Sequence, residues 1–383
     1  MNKKWIVVLA AVVAVACMGC NGEYPSYLVV KNTEKGTTVK KYRRDVPANL
    51  VIPDGIQAIA EGAFRDCTSL ESVTIPDSVT EIGGSAFSGC TSLVGVTIPG
   101  SVTEIAEGTF WSCESLASVT ISNGVTKIGK NAFRYCRSLV NVTLPDSVTK
   151  IGGSAFRDCT SLAGVVIPKG VTEIGGNAFA GCTSLVGMTL PDSVTKIGGS
   201  AFRDCTSLAG VVIPKGVTEI GMSAFEGCTS LASVVIPDGV TEINNDAFRG
   251  CTSLKNVTIP RSVRRISVET FANCTALTSM VLPGVTSIYS RAFQGCTALK
   301  TVTIPCTVMY TFEKDAFENC PNLKAVHFGG TKDQWLKISK ETLRNRDGRT
   351  IGHKYIKLQD DTVIYCSDGN MIAQKDWREQ QYL

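Results

Sequence analysis

The chain has 383 residues, 44% of them hydrophobic and 19% charged, with 16 cysteines, 36 glycines, two histidines and a formal net charge of +4. That length and apolar content support a continuous buried core, while the small net charge gives no case for a nucleic-acid partner, which needs a clustered basic face and a higher pI.

Residues 1–20 read as an export segment. Lys3 and Lys4 form a positive start, and the apolar run Trp5 to Ala16 is too short for a hydrocarbon core that takes about 20 residues. Two short stretches end in cysteine, Ala14-Val15-Ala16-Cys17 and Cys17-Met18-Gly19-Cys20. Each resembles the bacterial lipobox, whose cysteine becomes the acylated N-terminus. Gly19 before Cys20 and the polar Asn21-Gly22-Glu23 after it favour Cys20, with Cys17 the alternative. A plain secretory signal with incidental cysteines is the other reading. Multiple acylation would anchor the chain stably, whereas one acyl chain holds a protein only marginally.

Residues 21–45 read as a tether. Lys31, Lys35, Lys40, Lys41, Arg43 and Arg44 sit among Gly, Thr and Asn with little apolar content, a composition that favours a solvated linker. Leu50-Val51-Ile52-Pro53 then looks like a first strand.

Residues 46–328 read as the solenoid, organised by a 23-residue beat. Phe64, Phe87, Phe110, Phe133, Phe156, Phe179, Phe202, Phe225, Phe248, Phe271, Phe293 and Phe317 are each followed three residues later by Cys, with the interval slipping only at the end, to 22 and then 24. A fixed period of this size marks a solenoid, in which each unit buries its apolar face against its neighbours. In the unit from Cys228 to Gly250, Leu231, Val234 and Ile236 have strand spacing, Pro237-Asp238-Gly239 supplies a turn with Gly free to take positive φ, and Val240 and Ile243 begin a second extended segment. Frequent Pro and Gly leave no room for a long helix. The expected fold class is therefore a β-rich solenoid with a parallel sheet along one face, short strands or turns opposite, and atypical caps at both ends. About twelve coils at about 4.8 Å each give an array roughly 60 Å long.

The unit C-x-x-L-x-x-V-x-I-P-x-x-V-x-x-I-x-x-x-A-F resembles the BspA-type leucine-rich repeats of bacterial and protozoan surface proteins. The likeness implies surface display, adhesion and a protein or glycoprotein ligand on host or neighbouring cells. With the lipobox, it implies a bacterial outer-membrane or cell-surface location. A structural envelope protein without a host ligand is the alternative.

Twelve cysteines hold one place per repeat: Cys67, Cys90, Cys113, Cys136, Cys159, Cys182, Cys205, Cys228, Cys251, Cys274, Cys296 and Cys320. This spacing implies an internal ladder of small buried thiols. Parallel Cβ vectors in adjacent coils suit a disulfide poorly. No C-x-x-C pair occurs among them, so a zinc site is not expected. Cys306 and Cys366 are off the beat.

Outward positions flanking the inward Val and Ile form the expected binding face: Val94, Thr97, Gly164, Val166, Gly187, Thr189, Gly210, Val212, Ser233 and Val235. These residues also simply suit strands. Residues 143–175 are repeated verbatim at 189–221, so array length is free to vary, which a scaffold tolerates and a sub-ångström active site does not. Neither histidine, His327 or His353, lies in a nucleophile or zinc motif, and the P-loop-like stretch from Gly124 to Asn131 lacks the Ser or Thr that holds magnesium. No enzyme activity, metal or cofactor is expected. Residues 329–383 are expected to form a C-terminal cap, with a short helix from Gln334 to Lys340 laying Trp335 over the last coil; Val326 to Ile338 resembles the family's closing segment, and Thr362 to Gly369 resembles the terminal strand and turn that often follow it.

Overall fold

The protein is described here by a computed structural model covering residues 24–43, 45–308, 311–344, 350–359 and 361–373; the export segment, with Cys17 and Cys20, lies outside them. Each coil has three sides. A strand face carries thirteen short strands from Asn49–Val51 to Ala325–Phe328, and a second face carries two-residue strands such as Glu173–Ile174 and Lys196–Ile197. Pairing on both is parallel and in register, as in Gly187↔Gly210 and Ile174↔Ile197. The strand ladder is not one unbroken sheet. It is interrupted between Gly164–Val166 and Gly187–Thr189, and again between Asn256–Thr258 and Ser279–Val281.

The third side is a turn face, closed by a less usual hydrogen-bond pattern. Alternate amides donate to the next coil, with Ser85 N to Glu107 O at 2.8 Å, Phe87 N to Thr109 O at 2.9 Å and Gly89 N to Trp111 O at 2.8 Å. The intervening amides donate three residues back, as Cys90 N does to Phe87 O at 3.2 Å. This requires left-handed backbone two residues before the Phe and again just before the Cys. Ser154, Asn177, Ser200 and Asp246 occupy the first position and Asp158, Gly181, Asp204 and Gly227 the second. Asn, Asp and Ser tolerate that region better than larger residues.

The turn after each strand departs from the expectation in detail. Val240 N donates to Pro237 O at 3.0 Å, as a turn should, but Gly239 is not among the positive-φ residues. Its small size matters instead: a Cβ there would lie 2.7 Å from Lys215 O. Coils with Ser at this position use the hydroxyl, as Ser147 Oγ donates to Val125 O at 2.7 Å and Ser193 Oγ to Val171 O at 2.6 Å.

Inside, the twelve phenylalanines form one column. Neighbouring rings from Phe64 to Phe317 stand 5.2–5.7 Å apart and within 13° of parallel. The spacing follows the coil repeat, which stacks identical side chains directly. Leu231, Val234 and Ile236 face the same core, all buried.

The ends show where composition misled. Residues 21–45 do not form a tether throughout: Leu28–Thr33 and Gly36–Tyr42 make an antiparallel hairpin, and the second strand pairs parallel with Ala58–Ile59. Val39 is fully buried and Tyr42 stacks on Phe64 at 6.1 Å, starting the aromatic column. The basic residues hid the signal, because Lys40 and Lys41 lie on the solvent side of a strand whose inward residues are Thr38 and Val39. At the other end the helix is Lys332–Ser339, two residues earlier at its start than expected. Thr331 N donates to Gln334 Oε1 at 2.9 Å, and Gln334 N to Thr331 Oγ1 at 3.3 Å, a reciprocal cap. Trp335 is fully buried, edge-on to Phe328 at 5.4 Å and Phe312 at 5.8 Å. Val363–Cys366 then adds a parallel strand beside Ala325–Phe328, and Gly369–Ile372 returns antiparallel.

Candidate binding face

Strand alternation sends every second residue outward, so the strand face is a set of columns running along the array. The column through Thr97 continues as Thr120, Thr143, Val166, Thr189, Val212, Val235, Thr258, Val281, Thr303 and His327. Val166, Val212 and Val235 are 67%, 70% and 68% exposed. The second column holds Gly95, Ser118, Asn141, Gly164, Gly187, Gly210 and Ser233. All ten positions expected on this face lie on its outer side: Val94, Thr97, Val166, Gly187, Thr189, Gly210, Val212, Ser233 and Val235 are exposed, and Gly164 is half-buried.

The glycines keep this surface flat. A Cβ at Gly187 or Gly210 would meet nothing within 4 Å, and one at Gly164 would make only an ordinary contact, 3.5 Å from Asn141 Oδ1. Beside them, an open groove of about 720 Å³ is lined by Gly210, Val212, Pro214, Ser233, Val235 and Pro237. At the C-terminal end the face changes character: His327 stacks on Tyr365 at 4.7 Å, and Lys324 reaches Asp361 at 2.5 Å.

The other two sides satisfy much of their own polarity. On the second face Lys127 pairs with Glu104 at 2.5 Å and Lys196 with Glu173 at 3.9 Å, while Thr126 and Thr241 hydroxyls donate to the threonine carbonyl one coil back. On the turn face Arg249 and Arg291 share Glu269, and Arg291 also reaches Asp315 at 3.7 Å. An apolar, flat strip between such polar flanks suits a macromolecular partner more than a small molecule.

The cysteine ladder is internal. From Cys90 to Cys320 each Sγ donates to the carbonyl of the Phe one coil back, at 3.1–3.2 Å. Burial pushes the Cys113, Cys205, Cys251 and Cys320 thiols up to about 12. Thiols held in that state neither attack nor ligate. Cys306 is exposed and Cys366 half-buried. Among the described residues, no group of three or more His, Cys, Asp or Glu could hold a metal ion, and no helix is long and apolar enough to cross a membrane.

Three-sided coils with stacked in-register strands and an inward L-x-x-V-x-I define a parallel β-solenoid of the leucine-rich-repeat class. The chain belongs to the BspA-type leucine-rich repeat family, whose region matches residues 46–163, 156–278 and 218–346. Among solved structures, a leucine-rich repeat protein from Bacteroides ovatus is similar at 28% identity over 82% of this chain and 96% of that one, with a TM-score of 0.59. A leucine rich cell surface protein from Faecalibacterium prausnitzii is 28% identical over 82% and 97%, with a TM-score of 0.48. The pneumococcal vaccine antigen PcpA, at 18% identity over 90% and 93% and a TM-score of 0.52, shares the fold. No curated protein matches the chain.

Proposed function

We propose that this is an exported, lipid-anchored adhesin, acylated at Cys20 and displayed at the bacterial outer membrane or cell surface. In this reading its strand face engages a protein or glycoprotein on host or neighbouring cells. The observation that supports it is the outward strip of Val166, Val212 and Val235 beside Gly164, Gly187 and Gly210, flat and largely apolar over four coils, within a strand face that runs the length of the array. Such a surface gains affinity by covering area with a large partner. The leucine-rich-repeat solenoid is in general a binding scaffold, and the proposed role needs neither catalysis nor a cofactor.

A structural envelope role is the second reading, favoured by the verbatim duplication of residues 143–175 at 189–221, which lets the array lengthen without redesign. The chain from Asn21 to Leu383 separates the two when tested against extracellular-matrix proteins and intact cells. Saturable binding lost on Gly164→Glu, Gly187→Glu and Gly210→Glu together supports the adhesin. A folded array that binds nothing supports the envelope role. Acylation is read by mass spectrometry of the membrane-extracted protein with Cys20→Ala and Cys17→Ala variants.

A further inference from the structure

We infer that Trp111, Arg134, Tyr135 and Arg137 form a second docking site, on the turn face, for an acidic segment of a partner protein. The inference rests on the reading of the chain as a protein-binding scaffold, but not on the strand face.

Three of the four, Trp111, Tyr135 and Arg137, interrupt the repeat at neighbouring places. The position after the Phe is most often Arg, as Arg134, Arg157, Arg203 and Arg249 are, but it is Trp111 in one coil; the position before the Cys is Asp158, Gly181 or Asp204 elsewhere, but Tyr135 beside Arg134. The position after the Cys, usually Thr, is Arg137. Trp111 and Arg134 stand one coil apart, with Ser112 N donating to Arg134 O at 2.8 Å. Trp111 is 44% exposed, against a column of phenylalanines that are fully buried.

The two guanidiniums lack carboxylate partners. Among the described residues, Arg157, Arg203, Arg249 and Arg291 each reach an acidic oxygen within 4.0 Å on this same side, but Arg134 and Arg137 do not. Arg134 lies 4.7 Å from the Tyr135 ring centroid and donates from Nη2 to its hydroxyl at 2.9 Å, while Arg137 stands 5.6 Å from the same ring. Arg134 Nε is buried without a partner. Tyr135 sits at φ +64°, the left-handed backbone that the coil requires just before each Cys, and it is the one aromatic residue among the described residues at that position.

Chemistry then selects the ligand. The exposed Arg137 guanidinium, standing over the Tyr135 ring, offers its donors to a carboxylate, Arg134 adds positive charge beneath, and Trp111 beside them covers an apolar neighbour. Trp, Tyr and Arg are also the residues that dominate protein-interface energetics. A long polyanion fits less well, because Glu107, Glu114 and Asp158 flank the cluster within the same and adjoining coils.

The test uses the chain from Asn21 and a labelled synthetic peptide of alternating Glu and Leu, with the Gln-Leu peptide and a polyuronate as comparisons. The expected result is saturable binding of the Glu-Leu peptide, weakened about tenfold or more by Arg137→Gln and by Trp111→Ala, as loss of a charge-assisted contact implies. Arg137 is exposed, so its variant keeps the fold while removing the charge. Arg134→Gln is read alongside it, with thermal melting as the folding control. Equal binding of the Gln-Leu peptide, unchanged binding by the Arg137 variant, or tighter binding of the polyuronate each overturns the proposal. The strand-face triple variant should bind the peptide normally. If it does not, the acidic segment docks on the strand face and the turn-face site is wrong. If peptide binding persists while cell binding is absent, the site stands and the adhesin reading falls.

Discussion

Cys182 Sγ donates to the carbonyl oxygen of Phe156 at 3.1 Å, one coil back and 26 residues earlier in the chain. The bond ties the two periodic series together. The Phe fills the core while its backbone carbonyl, turned inward, takes the thiol proton of the next coil. A side chain of thiol size therefore serves here as both a core atom and a hydrogen-bond donor.

Phe179 is sandwiched between Phe156 at 5.4 Å and Phe202 at 5.7 Å and is fully buried. Phe179→Ala should cost about 3–5 kcal/mol, because stacked coils cannot close around the hole. Urea or guanidinium unfolding of the variant measures this, and a wild-type-like midpoint would show that the ring contributes little.

Alkali should unfold the protein steeply. Buried thiols hold their protons up to about 12, whereas an exposed thiol has an ordinary value of 9.0. The folded value is the higher one, so the stabilisation is complete below about pH 9 and falls as pH rises toward 12. Between those limits each thiol removes up to about 1.4 kcal/mol per pH unit. The slope of unfolding free energy against pH should become shallower when Cys113, Cys205 and Cys251 are replaced by Ala. Below pH 9, thiol reagents should label Cys306 readily in the native state and the ladder only after unfolding.

Two glycines should answer a methyl group oppositely. Gly124 has φ +114°, and a Cβ there would collide with the Gly100 carbonyl oxygen. Gly124→Ala should cost about 1–3 kcal/mol. Gly187, with nothing within 4 Å of its Cβ position, should accept Ala with a change within about 0.5 kcal/mol. Paired thermal melts decide it; equal effects would refute the close packing of the Gly100 and Gly124 turns.

Tyr135 occupies a left-handed position that neighbouring coils give to Asp158 and Gly181. Tyr135→Gly should relieve about 1 kcal/mol of backbone strain while removing the ring that braces Arg134 and Arg137. Chemical denaturation and the acidic-peptide assay, run on the same sample, should therefore move in opposite directions.

Much of the architecture was legible in the order of residues. The Phe–Cys beat set the coil length, and the L-x-x-V-x-I spacing chose the inward residues, because one period repeated twelve times leaves stacking as the way to bury the same apolar positions. Nine of the ten strand-face positions followed from alternation, while Val94 lies just before its strand. Tertiary structure decided the rest. Lys40 and Lys41 made a strand look like a linker, and only pairing with Ala58–Ile59 shows Val39 as core. The left-handed pair of positions on the turn face was hidden because Ser, Asn, Asp and Gly all fill it, so no single letter marks it. Trp111, Tyr135 and Arg137 depart from the repeat while Arg134 follows it, and their meeting depends on 23-residue neighbours becoming adjacent in space. Period is a local property that a sequence displays; which side chains go unpaired is a property of contacts, and it exists only once the coils have stacked.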